Sequence, residues 1–132
     1  LRQTDGRPAT LMNNPDTVVF DWLPGAEQGA MLACSCSLRA SDAWQQQALV
    51  WLRALGWNPV VLADVPGLVV ARTLAMLVNE AADAVHQGVC TAAGADAAMK
   101  LGVNYPAGPF EWLGTLGAPA IVQLLDALDA HY

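Results

Sequence analysis

The sequence predicts a mainly α-helical protein in which a helical domain follows a small β-β-α-β half-sheet. The first half contains three short runs of β-branched and apolar residues, with one amphipathic stretch between the second run and the third. From residue 68 onward, apolar residues recur at helical spacing and glycine or proline stands at each interruption. We therefore divide the 132 residues into a linker (1–15), a remnant β-β-α-β segment (16–63) and a helical domain (64–132).

Composition excludes several classes of protein. An apolar fraction of 55% and a charged fraction of 14% are typical of a folded chain and the reverse of a disordered one. The net charge of -6 and the scattered basic residues argue against a nucleic-acid partner, which needs clustered cations. The most apolar stretch, residues 67–78, is shorter than the roughly 20 residues of a membrane span. Three cysteines give no disulfide framework, so we expect a cytoplasmic location.

Three strands are expected in the first half, at Asp16–Leu23, Ala30–Leu38 and Pro59–Ala63. A turn at Pro24-Gly25 separates the first two. The last two flank a helix, and a strand–helix–strand unit favours parallel pairing by a crossover. The first fifteen residues hold one glycine, two prolines and two asparagines and are typical of a linker. The chain also begins without methionine or a secretory signal pattern, so we expect a piece of a longer protein.

The helix between the second and third strands is predicted from Ser41 to about Leu55. Ser41 is a favourable N-cap and Gly56 a favourable stop. Its expected buried face consists of Trp44, Ala48, Trp51, Leu52 and Leu55. No G-x-G-x-x-G follows any of the strands, so we expect no independent dinucleotide site.

The longest helix is predicted over Leu68–Gln87. Its polar residues fall on one stripe: Arg72, Thr73, Asn79, Glu80, Asp83, His86 and Gln87. More than half of its circumference is apolar, so we expect it to be central or to lie at an interface. A short helix (Ala92–Leu101), a Gly/Pro loop (104–109), a helix from Pro109 that stops at Gly117 and a last helix from Pro119 complete the domain.

Two segments of the helical half carry a family resemblance. They are Asp64-Val65-Pro66-Gly67-Leu68-Val69-Val70-Ala71-Arg72 and MKLGVNYPAGPFEW over residues 99–112. They resemble the paired signatures of the C-terminal helical domain of the 3-hydroxyacyl-CoA dehydrogenases, whose fold is like the C-terminal domain of 6-phosphogluconate dehydrogenase. Residues 30–63 look like the tail of that family's NAD domain. The chain is most similar to a second, degenerate copy of the helical domain in long bacterial members of phenylacetate-type catabolism.

The resemblance implies that the parent protein is an NAD-dependent oxidoreductase acting on 3-hydroxyacyl-CoA, as in fatty acid β-oxidation. In the family an asparagine precedes the arginine of the first motif, near the reacting oxygen of the substrate; this chain has Ala71 there. The family's strand-end histidine and its glutamate partner are also absent. We therefore expect no catalytic, cofactor-binding or metal-binding residue, no NAD bound by this chain, and no activity of this chain alone.

The remaining polar, aromatic and thiol side chains are better explained by solvated surface and by packing. These candidates are His86, His131, Asn79, Glu80, Asp83, Tyr105, Trp112, Cys34, Cys36 and Cys90. The spacing of the cysteines and His86 is not that of a metal site.

The resulting hypothesis is a non-catalytic C-terminal domain that packs against a like helical domain, in the same chain or in a homodimer. In that position it would help to shape the acyl-CoA site. One alternative is a domain that donates a polar group, such as Asn79 or Asn104, to the parent's active site. Another is a stand-alone acyl-CoA-binding or interaction module.

Overall fold

The computed structural model describes all residues, 1–132. In chain order the elements are β1 (Arg2–Gln3), a short 3-10 helix (Ala9–Leu11), β2 (Val18–Phe20), β3 (Met31–Cys36), α1 (Asp42–Ala54), β4 (Asn58–Val61), α2 (Val70–His86), α3 (Ala92–Gly102), α4 (Pro109–Leu116) and α5 (Ala118–Asp129). A helical domain does follow a small half-sheet, and the predicted elements are all present with boundaries shifted by a few residues.

The half-sheet has four strands in the order β1-β2-β3-β4. Strands β2 and β3 pair antiparallel across the predicted turn. Strands β3 and β4 pair parallel, so the predicted crossover through α1 is confirmed. The additional strand is β1, which pairs parallel with β2 through Arg2 and Gln3.

The expectation of a linker over residues 1–15 is wrong for most of that segment. Residues 1–12, here called the N-terminal strap, supply β1 and then cross to the helical half. Ala9 and Met12 are buried in a small cluster with Val19 and Leu68. The turn-forming residues that suggest a linker instead let the strap bend closely over the domain, and its long-range contacts leave no local sequence signal.

Helix α1 covers one face of the sheet through a set of side chains that matches the expected one only in part, at Ala48 and Leu52. Ala48, Leu49 and Leu52 are buried, with Leu49 and Leu52 in a cluster beside Leu32 and Cys34 of β3. By contrast, Trp51 is 43% exposed and Leu55 is 62% exposed. Trp44 and Trp51 instead pack edge-on against each other, at 5.2 Å between their ring centroids.

Helix α2 is the centre of the helical half, as its apolar circumference predicts. It packs against α3, α4 and α5. Its residues Ala71, Leu74, Ala75 and Val78 are buried in the largest apolar cluster, together with side chains from the other elements: Trp22, Trp112, Ile121, Leu124 and Leu128. The predicted polar stripe faces solvent, apart from the half-buried Arg72. None of the helices combines the length and apolarity needed to cross a bilayer.

The Gly/Pro loop between α3 and α4 is held by two carboxylates. Asp96 accepts the backbone N–H of Phe110 at 2.8 Å, and Glu111 accepts that of Gly108 at 2.9 Å. Lys100 forms an ion pair with Glu111. The hydrogen bond from Lys100, and then that from Gly108, lowers the pKa of Glu111. The loop therefore has a defined conformation despite its exposure.

We expect Gly6→Ala to destabilise the protein by about 2–4 kcal/mol. Gly6 has a φ of +101°, and an added Cβ would lie 2.8 Å from Cβ of Ala127 and 2.9 Å from Cα of Leu124. Chemical denaturation followed by circular dichroism measures the change. Gly25→Ala is the matched control, because Gly25 has a φ of +70° with no atom within 4 Å of the added Cβ. Equal losses in the two variants would contradict a close approach of the strap to α5.

Candidate functional site

The candidate site is the junction where the end of β2 meets the start of α2. Asp21 follows β2 directly and is only 1% exposed. Its Oδ2 accepts the backbone N–H groups of Val69 at 2.9 Å and Val70 at 2.7 Å, and its Oδ1 accepts that of Ala71 at 2.8 Å. One carboxylate thus satisfies three N–H groups at the start of a helix, where they have no partner within the helix. Its negative charge also lies at the positive end of the helix dipole.

The segment before α2 explains why a distant carboxylate performs this task. The residue at the N-cap position is Val69, whose side chain has no hydrogen-bond acceptor. Gly67 and Leu68 both have positive φ, 69° and 48°, and turn the chain sharply into the helix. The N–H of Gly67 donates to the carbonyl of Gly6 at 3.0 Å, which ties this turn to the N-terminal strap. The backbone N–H groups at the start of α2 therefore find their acceptor in Asp21 at the end of β2, and not in a side chain of their own segment.

A second carboxylate lies on the helical side of the junction and binds the N-terminal strap. Asp64, the first residue of the Asp-x-Pro-Gly motif, accepts the N–H groups of Ala9 at 2.7 Å and Thr10 at 2.8 Å. The hydroxyl of Ser35 also donates to Asp64 Oδ1, at 2.9 Å. Asp64 therefore fixes the strap and β3 to the start of the helical half.

The junction is closed around these polar contacts. Ala71 is fully buried, and Trp22 is 6% exposed and donates its Nε1–H to the carbonyl of Thr4 at 3.1 Å. A depression of about 200 Å³ lies outside Trp22, between the strap and the last two helices. Ala71 does not line it. A substrate therefore has no path to the methyl group of Ala71 in this conformation.

The chain places no histidine at a strand end. Strands β2, β3 and β4 end at Phe20, Cys36 and Val61. The two histidines, His86 and His131, are exposed at or beyond the C-terminal ends of α2 and α5. Three free cysteines are present, and burial, with a smaller contribution from Cys36, raises the pKa of Cys34 to about 11. That thiol is protonated near neutral pH and is a poor nucleophile.

The residues of the half-sheet do not fit a dinucleotide. A pyrophosphate is normally bound by a glycine-rich turn and the free N–H groups at the start of the following helix. Here the turn from β3 to α1, residues 37–41, contains no glycine. The hydroxyl of Ser41 accepts the N–H of Trp44 at 3.3 Å, and Asp42 places a negative charge in the first turn. A phosphate would meet a carboxylate there.

The other candidate residues do not converge on the junction. Asn79, Glu80 and Asp83 lie on the exposed stripe of α2, the first of them two turns beyond Ala71. Asn104 is exposed in the Gly/Pro loop with a φ of 58°. The Tyr105 ring lies 5.7 Å from that of Trp112, which is 8% exposed, so packing accounts for the aromatic pair.

Sequence reasoning missed Asp21, the central residue of the junction. Its position after three strand-forming residues and before Trp22 is unremarkable, and its partners are 48 to 50 residues further along the chain. The one available signal is indirect, since α2 lacks a capping side chain of its own at Val69.

A half-sheet with its crossover helix is joined through a strand-end carboxylate to a domain of four helices that contains the Gly/Pro loop, and this arrangement defines a class of protein. The family model for the 3-hydroxybutyryl-CoA dehydrogenase reduced Rossmann-fold domain matches residues 1–66. The model for the 3-hydroxyacyl-CoA dehydrogenase C-terminal domain matches residues 67–132. The chain belongs to the 3-hydroxyacyl-CoA dehydrogenase family, as its motifs predict.

Individual relatives agree with this assignment. The chain is 38% identical over 104 residues to the 3-hydroxyadipyl-CoA dehydrogenase of Escherichia coli, an alignment covering 79% of this chain and 22% of that protein. It is 39% identical over 74 residues to the human mitochondrial hydroxyacyl-coenzyme A dehydrogenase, covering 56% of this chain and 24% of the relative. The crystal structure of an Escherichia coli 3-hydroxybutyryl-CoA dehydrogenase superposes with a TM-score of 0.88 at 35% identity, over 98% of this chain and 27% of that one. The chain thus spans about a quarter of these relatives.

We expect Asp21→Asn to lower the free energy of unfolding by about 2–4 kcal/mol, because the amide has one acceptor oxygen and turns an N–H₂ towards backbone N–H groups. Urea denaturation measures the loss. Asp16→Asn is the control, since Asp16 is exposed and its side chain makes no hydrogen bond within the chain. A change below about 0.5 kcal/mol in D21N, as is usual for a surface position, would show that the carboxylate does not hold α2.

Proposed function

We propose that this chain is a non-catalytic domain of a longer NAD-dependent 3-hydroxyacyl-CoA dehydrogenase. The observation that carries the proposal is the closed junction between Asp21 and Ala71. Catalysis in the family is expected where the end of a strand meets the start of the long helix, with a histidine on the first and an asparagine on the second. Here the strand is followed by Asp21, whose carboxylate caps the helix. The corresponding residue of the helix is Ala71, whose side chain is a methyl group.

The chemistry of these two replacements supports the loss of catalysis. Hydrogen-bond donors directed at developing charge are a major source of rate in acyl and carbonyl chemistry. The methyl group of Ala71 has no donor, and its backbone N–H is already bound to Asp21. The carboxylate of Asp21 is an acceptor for Val69, Val70 and Ala71 and is shielded from solvent. It is therefore not available as a general base for a bound substrate.

The proposed role is to pack against a like helical domain and so to complete the wall of the acyl-CoA cleft of the parent enzyme. Support comes from α2, which is central to its own domain and still exposes 44% of Met76 on its outer side. Relatives named for 3-hydroxyadipyl-CoA and for hydroxyacyl-coenzyme A make a 3-hydroxyacyl-CoA the expected substrate class. NAD would be bound by the part of the enzyme outside residues 1–132, in the cytoplasm.

A second candidate function is the donation of a polar group to the parent's active site. It is favoured by Asn79 and Asn104, which are exposed and make no side-chain hydrogen bond within the chain. An unpartnered amide on a domain surface is free to contact a substrate that lies against that surface.

Alanine variants of Asn79 and Asn104 in the longer enzyme separate the two candidates. We expect kcat/KM for a 3-hydroxyacyl-CoA to change less than about twofold, since a solvated amide that touches no reacting atom adds nothing to the transition state. Glu27→Ala, in the exposed turn before β3, controls for nonspecific surface effects. A fall of a hundredfold in either asparagine variant, with KM unchanged, would assign it to catalysis instead.

We expect the 132-residue chain alone to produce no NADH from NAD and a 3-hydroxyacyl-CoA. The absorbance of NADH at 340 nm measures its formation. Ala71→Asn should not create activity, because the junction remains closed and lacks a histidine. The longer enzyme, assayed under the same conditions, is the positive control that shows the substrate and NAD to be reactive. NADH formation by the isolated chain at a rate proportional to its concentration would refute the non-catalytic assignment.

A further inference from the structure

A polar recess lies between the N-terminal strap and the turn at residues 13–17 that leads into β2. It has a volume of about 300 Å³, at the lower end of the range for small-molecule sites. Neither the junction at Asp21 nor any residue of α2 lines it. Its polar lining residues are Arg2, Arg7, Asn13, Asn14, Asp16 and Thr17.

The strap side of the recess carries two guanidinium groups held by one carboxylate. Arg7 donates through Nε and Nη2 to the two oxygens of Asp5, at 3.3 and 2.7 Å. Arg2 donates through Nη2 to Asp5 Oδ2 at 2.9 Å. Because two cations share a single anion, this side of the recess keeps an excess positive charge.

Hydrogen-bond donors remain available on both sides of the recess. A guanidinium carries five N–H groups, and the contacts with Asp5 leave most of those of Arg2 and Arg7 without a partner in the chain. Asn13 is exposed, and its side-chain amide makes no hydrogen bond within the chain. A phosphate group has three strong acceptor oxygens and a carboxylate has two, so several convergent donors suit a phosphate better.

The distribution of charge also favours an anion at this place. Half of the chain's six basic residues lie at the recess, compared with two of its twelve acidic residues, Asp5 and Asp16. The third basic residue is Arg39, whose guanidinium donates to the carbonyl of Met12 in the lining. An anion is repelled by most of a chain with a net charge of -6, so a locally basic recess is the favourable position for it.

Local hydrogen bonds fix the backbone on both sides of the recess. On the strap side, the hydroxyl oxygen of Thr4 accepts the N–H of Gly6 at 3.2 Å. On the other side, Asn14 Oδ1 accepts the N–H of Asp16 at 2.9 Å, and the hydroxyl of Thr17 donates to the carbonyl of Asn14 at 2.6 Å. A ligand therefore pays little to order the backbone around it.

We propose that this recess binds a phosphate group, either as the free ion or as part of a small phosphorylated molecule. Arg2 and Arg7 bind the phosphate oxygens from the strap side, and the amide of Asn13 donates from the other side. The carboxylate of Asp16 lies in the same lining and opposes the anion, which weakens the binding. The proposal does not depend on the proposed function, because the junction and the helical domain take no part in the site.

Calorimetric titration of the 132-residue chain with inorganic phosphate tests the proposal. We expect Arg2→Ala and Arg7→Ala each to raise the Kd about fivefold or more, since each removes charge-assisted hydrogen bonds to the anion. Arg53→Ala is the matched control, because Arg53 is exposed on α1 and does not line the recess. It removes the same charge and should change the Kd by less than about twofold. Thermal unfolding of each variant verifies that it is folded.

Asp16→Asn gives the test its sign. Removal of a repelling charge should tighten phosphate binding about twofold or more at low ionic strength. Weaker binding in D16N would assign the recess to a cationic or zwitterionic ligand and overturn the proposal.

Two further ligands identify the group that is bound. Adenosine 3′,5′-bisphosphate, the nucleotide part of CoA, separates the sources: tighter binding than inorganic phosphate indicates a carried phosphate, and equal binding indicates the free ion. Acetate should bind more weakly than either. Acetate binding as tight as that of phosphate, no binding of either phosphate compound at about 20 mM, or a Kd insensitive to both R2A and R7A would contradict the proposed site.

Discussion

The buried carboxylate of Asp21 is the constraint on which the arrangement of this chain depends. It binds three consecutive N–H groups of residues 69–71 at 2.7–2.9 Å, where α2 has no capping side chain of its own. Unpaired, buried N–H groups cost about 1–3 kcal/mol each, a large part of the stability of a small protein. Since α3, α4 and α5 all pack against α2, the direction that Asp21 imposes on α2 also sets the position of the helical half relative to the sheet.

Two carboxylates act in opposite directions across the junction. Asp21 reaches from the sheet to the start of α2, and Asp64 reaches from the segment before α2 back to the N-terminal strap. The strap then crosses both halves, pairing with β2 and approaching α5 at Gly6. The half-sheet and the helices therefore share contacts that would all have to break for one to move relative to the other. Enzymes that close a cleft around a substrate need the opposite property, a junction that moves at little cost.

The local features of this fold could be predicted from the sequence, whereas the junction could not. Helix stops, the crossover through α1 and the polar stripe of α2 depend on residues close together in the chain. The buried face of α1 could be predicted only in part: Ala48 and Leu52 are buried as expected, but the position of the sheet decides that Leu49 rather than Leu55 is covered. The strap and the role of Asp21 depend on partners 48 or more residues away, for which a single sequence carries no pattern. The absence of an asparagine at residue 71 could be noted, but its structural meaning required the contacts of Ala71.

Ala71 and Arg72 show how adjacent residues of one motif serve different purposes. Neighbouring residues on a helix differ by about 100° in direction. Ala71 points into the largest apolar cluster and is fully buried, where an amide side chain without a partner would be costly. Arg72 points outward, where Tyr132 orients it beside the open face of α2. A small apolar side chain therefore suits residue 71, whose backbone N–H is already bound by Asp21.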